Sequence, residues 1–178
     1  MNAAGRSGVR VDLRGDGTAS VETGLPVLDR LLERLAEYAS FDLALEVEPG
    51  TAEAEVAEAG TALGRALAGP LREGRGFGSG IMTSAEALAT IVIEASDVPL
   101  LVSNVDLTEA RIGGLGTDVA RRFLEVLAEH AGLVLHVRLL NGTDSGHVLD
   151  AIFKGLGFHY VTLDLEGYRQ GSLNAVLS

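Results

Sequence analysis

The chain has no cysteine and no tryptophan, and Lys154 is its only lysine. Without cysteine there can be no disulfide framework, no thiol nucleophile and no thiolate metal site. Aromatic residues make up only 4% of the chain, so any core must be built mainly from Leu, Val, Ala and Ile. Basic charge is also scarce: the formal net charge is -11, and such a surface repels phosphate backbones, so no nucleic-acid partner is expected. No apolar run approaches the roughly 18 residues needed to span a membrane. The N-terminal MNAAGRSG lacks an apolar signal core. The reading is therefore a cytoplasmic protein with no membrane partner. What is present is 47% apolar residues, enough for a packed core in 178 residues.

Along the chain, Val9–Leu13 and Thr18–Thr23 alternate around Gly15-Asp16-Gly17, which predicts a hairpin. Pro26 opens a helix with Leu28, Leu31, Leu32 and Leu35 on one face. Phe41–Val47 reads as a strand, and Ala52–Leu71 as an Ala-rich helix ended by Gly69-Pro70. Gly74–Gly80 lacks the Gly-Lys-Ser/Thr ending of a phosphate loop and reads as a linker between halves. The apolar run ATIVIE at the end of Ile81–Glu94 and the stretch Leu100–Leu107 are the next strands. Thr117 or Asp118 can cap a helix that carries Val119, Phe123, Leu124 and Leu127. Leu133–Leu156 then runs strand, Gly-containing turn, amphipathic helix. In the tail, Val161–Leu165 alternates as a strand would.

An internal repeat underlies this order. Moved back by 92 positions, Val119–Ala131 falls on Val27–Ala39 with eight of thirteen pairs identical. The following strands, Phe41–Val47 and Leu133–Leu139, also correspond. So do Pro49-Gly50-Thr51 and Asn141-Gly142-Thr143, and a helix follows each. The expected organisation is one α+β domain over 1–178, with half-repeats 9–72 and 73–157 and a C-terminal tail 158–178.

These elements resemble the imidazoleglycerol-phosphate dehydratase family of histidine biosynthesis, across about Val9–Phe153. The resemblance rests on Leu28-Asp29, Phe41-Asp42-Leu43, Gly60 with Ala62-Leu63-Gly64, Arg75-Gly76-Phe77-Gly78-Ser79, Glu86-Ala87-Leu88-Ala89, Ala131-Gly132-Leu133, His136-Val137-Arg138-Leu139-Leu140 and Phe153-Lys154. It implies an α+β fold of two βββαβα half-domains, like domain 2 of ribosomal protein S5. It also implies a carbon–oxygen lyase (hydro-lyase) activity, trimers that build a 24-subunit shell, and active sites between subunits that hold two manganese ions. Manganese suits imidazole and carboxylate ligands and would stabilise charge on the substrate ring while a carboxylate moves protons.

The family draws ligands from two His-His-x-x-Glu motifs, one at the start of each half's final helix. The first falls here on Glu53, Ala54 and Ala57, and the second on Gly146, His147 and Asp150. The helix-one histidine falls on Arg30, while the strand histidine persists as His136. Glu86 keeps a position near the family's catalytic centre, but the acid before it is Ala85. Of the phosphate-binding groups, one basic position falls on Val98 and the C-terminal lysine on Asn174, while Ser172 and Arg75 are kept. The family's first strand, with its substrate-contacting glutamate, has no counterpart in the sequence.

The candidate set is thus Glu86 as catalytic residue, Arg75 and Ser172 as substrate-binding residues, and His136, His147 and Asp150 as a residual site for one manganese or zinc ion. The expected cofactor is otherwise none. A plainer reading is preferred for the metal set: His136 as a satisfied buried histidine, and His147 with Asp150 as a helix-start pair near the dipole. Glu53, Glu55 and Glu58 read as ordinary acids of a first helical turn. The leading functional expectation is a family homologue that has lost the manganese-dependent dehydration. Such a chain would be a non-catalytic or assembly subunit, forming homo-oligomers or joining an active paralogue. The alternatives are a small-molecule enzyme or binder with an altered site at His136, His147 and Asp150, and an authentic dehydratase.

Overall fold

A computed structural model of the protein describes residues 7–73, 77–106, 111–112 and 115–164. The first half contains β1 (Gly8–Asp12), β2 (Ala19–Glu22), α1 (Pro26–Ala39), β3 (Asp42–Glu46) and α2 (Ala52–Glu73). The second contains β4 (Phe77–Ser84), β5 (Ala87–Ala95), β6 (Leu100–Ser103), a two-residue strand pair β7 (Arg111–Ile112) and β8 (Leu115–Gly116), α3 (Thr117–Ala131), β9 (Leu133–Asn141) and α4 (Ser145–Asp164). The class is α+β, as expected.

The duplication is visible in the sheets. One has the order β1-β3-β2, with β1 antiparallel and β2 parallel to the central β3. The other has the order β4-β5-β9-β6, with β5 antiparallel and β6 parallel to β9. Among the described residues, β4 is the one strand of these two sheets without a counterpart. Leu43 and Leu135, 92 positions apart, face Ala19 and Leu101, which are only 82 apart. The second half therefore carries ten extra residues between β6 and α3, the connection that includes β7 and β8.

Each sheet packs one face against the helices of its own half, and the helices then pair across the halves, α1 with α4 and α2 with α3. Alternation along β5 and β9 turns Ala89, Ile91, Ile93, Leu133, Leu135 and Val137 into the core, where they are fully or almost fully buried. Phe123 and Phe153 stack with ring centroids 5.6 Å apart, and both are buried. The α2–α3 pair is close because α2 presents Gly64 at the contact. A Cβ there would lie 2.8 Å from the His130 Cβ and 3.0 Å from both the Ala131 N and the Leu127 O.

Several expectations are corrected. The residues of β1 and β2 do not form a hairpin, because β3 inserts between them. The Asp42 carboxylate at the start of β3 accepts the N–H groups of Asp16 (2.9 Å) and Thr18 (3.0 Å), which ties the connection to β3 rather than closing it on itself. Helix α2 continues through Pro70 to Glu73. Burial of Leu71 in the core compensates for the hydrogen bond a mid-helix proline forfeits. Phe77–Gly80 belongs to β4 rather than to a linker, and positions 74–76 lie outside the described residues. Residues 161–164 continue α4 instead of forming a strand, since extending an established helix costs less than starting a new element. His136 is not buried. It sits on the face of the second sheet that points away from the helices, between Val92 and Val102 in register.

Candidate functional site

The first turn of α4 assembles most of the local chemistry. Gly142, with φ of 133°, takes the chain out of β9 in a conformation that other residues rarely adopt. Asp144 then caps the helix: its Oδ1 accepts the His147 N–H at 3.0 Å, and its carbonyl accepts the Val148 N–H at 2.9 Å. The cap fixes the backbone from which the His147 side chain projects, half exposed.

Glu86 meets this turn from the tight connection between β4 and β5. Its neighbour Ala85 has φ of 47°, a left-handed conformation that is unfavourable for alanine. Glu86 Oε1 accepts the Asp144 N–H at 3.0 Å and the Thr143 N–H at 3.4 Å, while Oε2 lies 2.5 Å from His147 Nδ1. The Asp144 N–H, its own backbone N–H, His147 and the Thr143 N–H hold the Glu86 carboxyl down at about 2, and together they outweigh an opposing desolvation that exceeds the separate effects of His147 and Thr143. A carboxyl in that range stays ionised near neutral pH, so Glu86 acts as an acceptor rather than a proton donor. It takes the Nδ1–H of His147 and leaves Nε2, which has no hydrogen-bond partner among the described residues, as the ring nitrogen able to accept a proton or a ligand. A carboxylate behind an imidazole is the arrangement that orients catalytic and metal-binding histidines.

Asp150, one turn further along α4, does not join this pair. It accepts a hydrogen bond from Ser84 Oγ at 2.6 Å and ion-pairs with Lys154 Nζ at 2.6 Å and Arg34 Nε at 3.3 Å. Burial pushes its carboxyl up. The hydrogen bonds from Lys154 and Ser84 and the charges of Lys154 and Arg34 outweigh that, and the carboxyl lies below its ordinary value. These bonds tie α4 to α1 and to the end of β4.

The structure therefore brings Glu86 and His147 together and places His136 and Asp150 elsewhere. Among the described residues, no three His, Asp or Glu side chains form a group able to hold a metal ion. The three-residue metal set does not assemble within one chain, and the expectation of a His147–Asp150 pair is replaced by the Asp150–Lys154 and Asp150–Arg34 contacts. Around α2, Ala54 and Ala57 offer no donor atom, and the almost buried Glu55 accepts the Gly50 N–H at 2.9 Å, so it serves its own helix start. The described residues of a single chain do not fit the paired metal ions that the resemblance implies. Arg75 and Ser172 lie outside the described residues.

Sequence reasoning missed Thr143 and Asp144 as the groups that lock Glu86, and Lys154 as the partner of Asp150. Two signals were available. Asp144 stands directly before a helical run, as an N-cap does, and Asp150 and Lys154 are four apart on one helix face.

The sequence profile described as imidazoleglycerol-phosphate dehydratase matches residues 23–159. Imidazoleglycerol-phosphate dehydratase of Aromatoleum aromaticum is 38% identical over 154 residues, covering 83% of this chain and 79% of that protein. The enzyme of the same name from Desulfitobacterium hafniense is 35% identical over 158 residues, covering 84% and 79%. In fold, the chain is similar to the crystal structure of imidazoleglycerol-phosphate dehydratase from Staphylococcus aureus, with a TM-score of 0.80 at 21% identity over 89% of this chain and 94% of that one. It is likewise similar to the Pyrococcus furiosus protein in complex with (S)-C348, with a TM-score of 0.78 at 24% identity over 93% of each chain. A profile match over most of the chain, joined to relatives above 30% identity along most of their length, places this chain in the imidazoleglycerol-phosphate dehydratase family.

Proposed function

We propose that the chain is a cytoplasmic lyase of this family that acts on imidazoleglycerol phosphate, with His147 moving protons and Glu86 positioning it. The observation that carries this reading is the 2.5 Å contact between His147 Nδ1 and Glu86 Oε2, which leaves Nε2 without a partner among the described residues at the exposed start of α4. Eliminating water requires a base for a carbon-bound proton and an acid for the departing hydroxyl. One imidazole can serve both roles in turn. The relatives' shared name supports the catalytic alternative more strongly than the non-catalytic subunit.

The non-catalytic subunit remains as a second reading because of one specific observation. The positions that should supply ligands are Glu53, Ala54, Ala57 and Gly146, and the described residues of one chain form no metal-holding group. Both readings place the chain in a homo-oligomer. Support comes from the uncovered face of the second sheet, where Phe77, Ile81, Leu100 and Val102 are exposed beside His136.

Turnover of imidazoleglycerol phosphate by the purified chain, with and without added manganese or zinc, separates the readings. The catalytic reading expects product, its loss in His147→Asn, and a reduced kcat in Glu86→Gln. No product under any metal condition would refute it and leave the assembly subunit, whose oligomer mass can be read by light scattering.

A further inference from the structure

The repeat creates two equivalent clefts, and they have opposite electrostatic character. In the second half, Val119 and Arg122 of α3 line a cavity of about 610 Å³ that also includes Glu53 from the first turn of α2. Moved back by 92 positions, these residues fall on Val27 and Arg30. Val27 and Arg30 of α1 line a cavity of about 270 Å³ that includes Gly146 from the first turn of α4. Each cleft lies where the first turns of paired helices from different halves meet.

The α3 cleft is acidic. Asp106, Asp118, Glu53 and Glu125 all line it, and Glu125 pairs with both arginines, Arg121 at 3.0 Å and Arg122 at 3.6 Å. The α1 cleft is different. Its polar side chains are Arg30, Arg34 and Asp150, over a floor of Val27, Leu31 and Leu149. Asp150 is matched by Lys154, and Arg34 is shared between Glu37 at 2.6 Å and Asp150 at 3.3 Å. Two carboxylates thus face three cations. The remaining positive charge is that of Arg30, which has no carboxylate partner among the described residues. Its only hydrogen bond to the described residues is a long one, from Nε to the Pro26 carbonyl at 3.4 Å. The Nη2 of Arg34 is likewise without a protein partner among them. In a chain of net charge -11, this is a local excess of positive charge with unspent donors.

We propose that the cleft between the first turns of α1 and α4 binds a small oxyanion, a phosphate or a carboxylate, held by Arg30 and Arg34. The guanidinium fork suits both, because each offers two oxygens to parallel N–H donors. The apolar floor suits a ligand with a small non-polar body attached to its charged group. Gly146 keeps the mouth open, since it places no side chain between the helices.

The site stands apart from the His147–Glu86 reading, and its test needs no turnover. Calorimetric titration of the full chain at constant ionic strength, with inorganic phosphate and separately with acetate, reads it directly. Saturable one-to-one binding of at least one anion is expected, and which anion wins identifies the ligand class. Arg30→Gln is expected to weaken that binding about tenfold or more, the loss of a charge-assisted hydrogen bond. Arg30→Lys should recover only part of it, because it restores the charge but not the fork. Arg122→Gln, the equivalent change in the acidic cleft, is expected to leave binding unchanged. Arg30 is exposed, so its substitution does not threaten the fold. No saturation by either anion, an undiminished Arg30→Gln variant, or equal losses in Arg30→Gln and Arg122→Gln would each overturn the proposal.

Discussion

Replacing Lys154 by methionine tests the network that joins α4 to α1 and β4. Lys154 is four residues after Asp150 on α4, and its Nζ lies 2.6 Å from Asp150 Oδ2 with the side chain only 15% exposed. Its stem also lies near Tyr38, with Nζ 5.7 Å from the ring centroid. Exposed ion pairs contribute about 0–1 kcal/mol, and removing one partner of a fully buried pair costs about 3–5 kcal/mol. Asp150 is 24% exposed and keeps Ser84 and Arg34 after the substitution, so the cost falls between these limits. A loss of about 1.5–2 kcal/mol is expected, which for a chain of this size lowers Tm by about 3–8 °C. Methionine preserves the stem packing, so the loss reports the charge. The pH dependence has a definite sign. In the folded chain the Asp150 carboxyl is held below its ordinary value of 3.8, chiefly by Lys154 once burial is overcome. The ionised form therefore stabilises the fold above that value, and the contribution is lost as pH falls through the folded-state value. The deficit of Lys154→Met should be full near about pH 7 and shrink towards about pH 3. Urea unfolding of both proteins at the two pH values, with the Asp150→Asn variant to complete a double-mutant cycle, measures it. A neutral substitution, or a deficit of equal size at both pH values, would refute the reasoning.

Two further substitutions test the backbone. Gly64→Ala gains helix propensity of about 1 kcal/mol but drives a Cβ into the Leu127 carbonyl and the Ala131 amide, which cannot rotate away. A net loss of about 1–2 kcal/mol is expected from overpacking, read as a lower urea midpoint with an unchanged slope. Ala85→Gly relieves the left-handed alanine before Glu86 and is expected to raise stability by about 0.5–1 kcal/mol, seen as a higher Tm in calorimetry.

The repeat and the amphipathic helices were legible because periodicity records which face is buried. Leu28, Leu32 and Leu35 are completely buried, as their spacing required. Strand partnership was not legible in the same way. Gly15-Asp16-Gly17 carries the local chemistry of a hairpin turn, but the partner of β1 is set by Asp42, 26 residues beyond Asp16. Such a long-range acceptor leaves no periodic trace. The candidate site divides along the same line. Glu86 and His147 were identified as individual positions, yet their pairing across 61 residues, and the commitment of Asp150 to Lys154 and Arg34, depend on how the β4–β5 turn meets α4. His136 was misjudged because a strand residue's face depends on register, and one step reverses it.

The residues that made the family resemblance readable turn out largely to serve the fold. Asp29 accepts the N–H of the buried Thr23 at 2.9 Å and its hydroxyl at 2.5 Å, setting the entry to α1. Asp42 closes the connection before β3, Gly64 permits the α2–α3 contact, and Phe153 stacks on Phe123. Such residues would be needed by any chain that folds this way, whether or not it catalyses anything. Similarity spread along most of the chain is therefore strong support for the shared architecture and weaker support for the shared reaction. The proposed reaction rests on fewer atoms: His147 Nε2 and the Glu86 carboxylate behind it. If His147→Asn abolishes turnover while Arg30→Gln changes only anion binding, the two functions belong to different clefts. If Arg30→Gln also raises KM for a phosphorylated substrate without changing kcat, the cleft holds part of that substrate through uniform binding, and the two sites act as one.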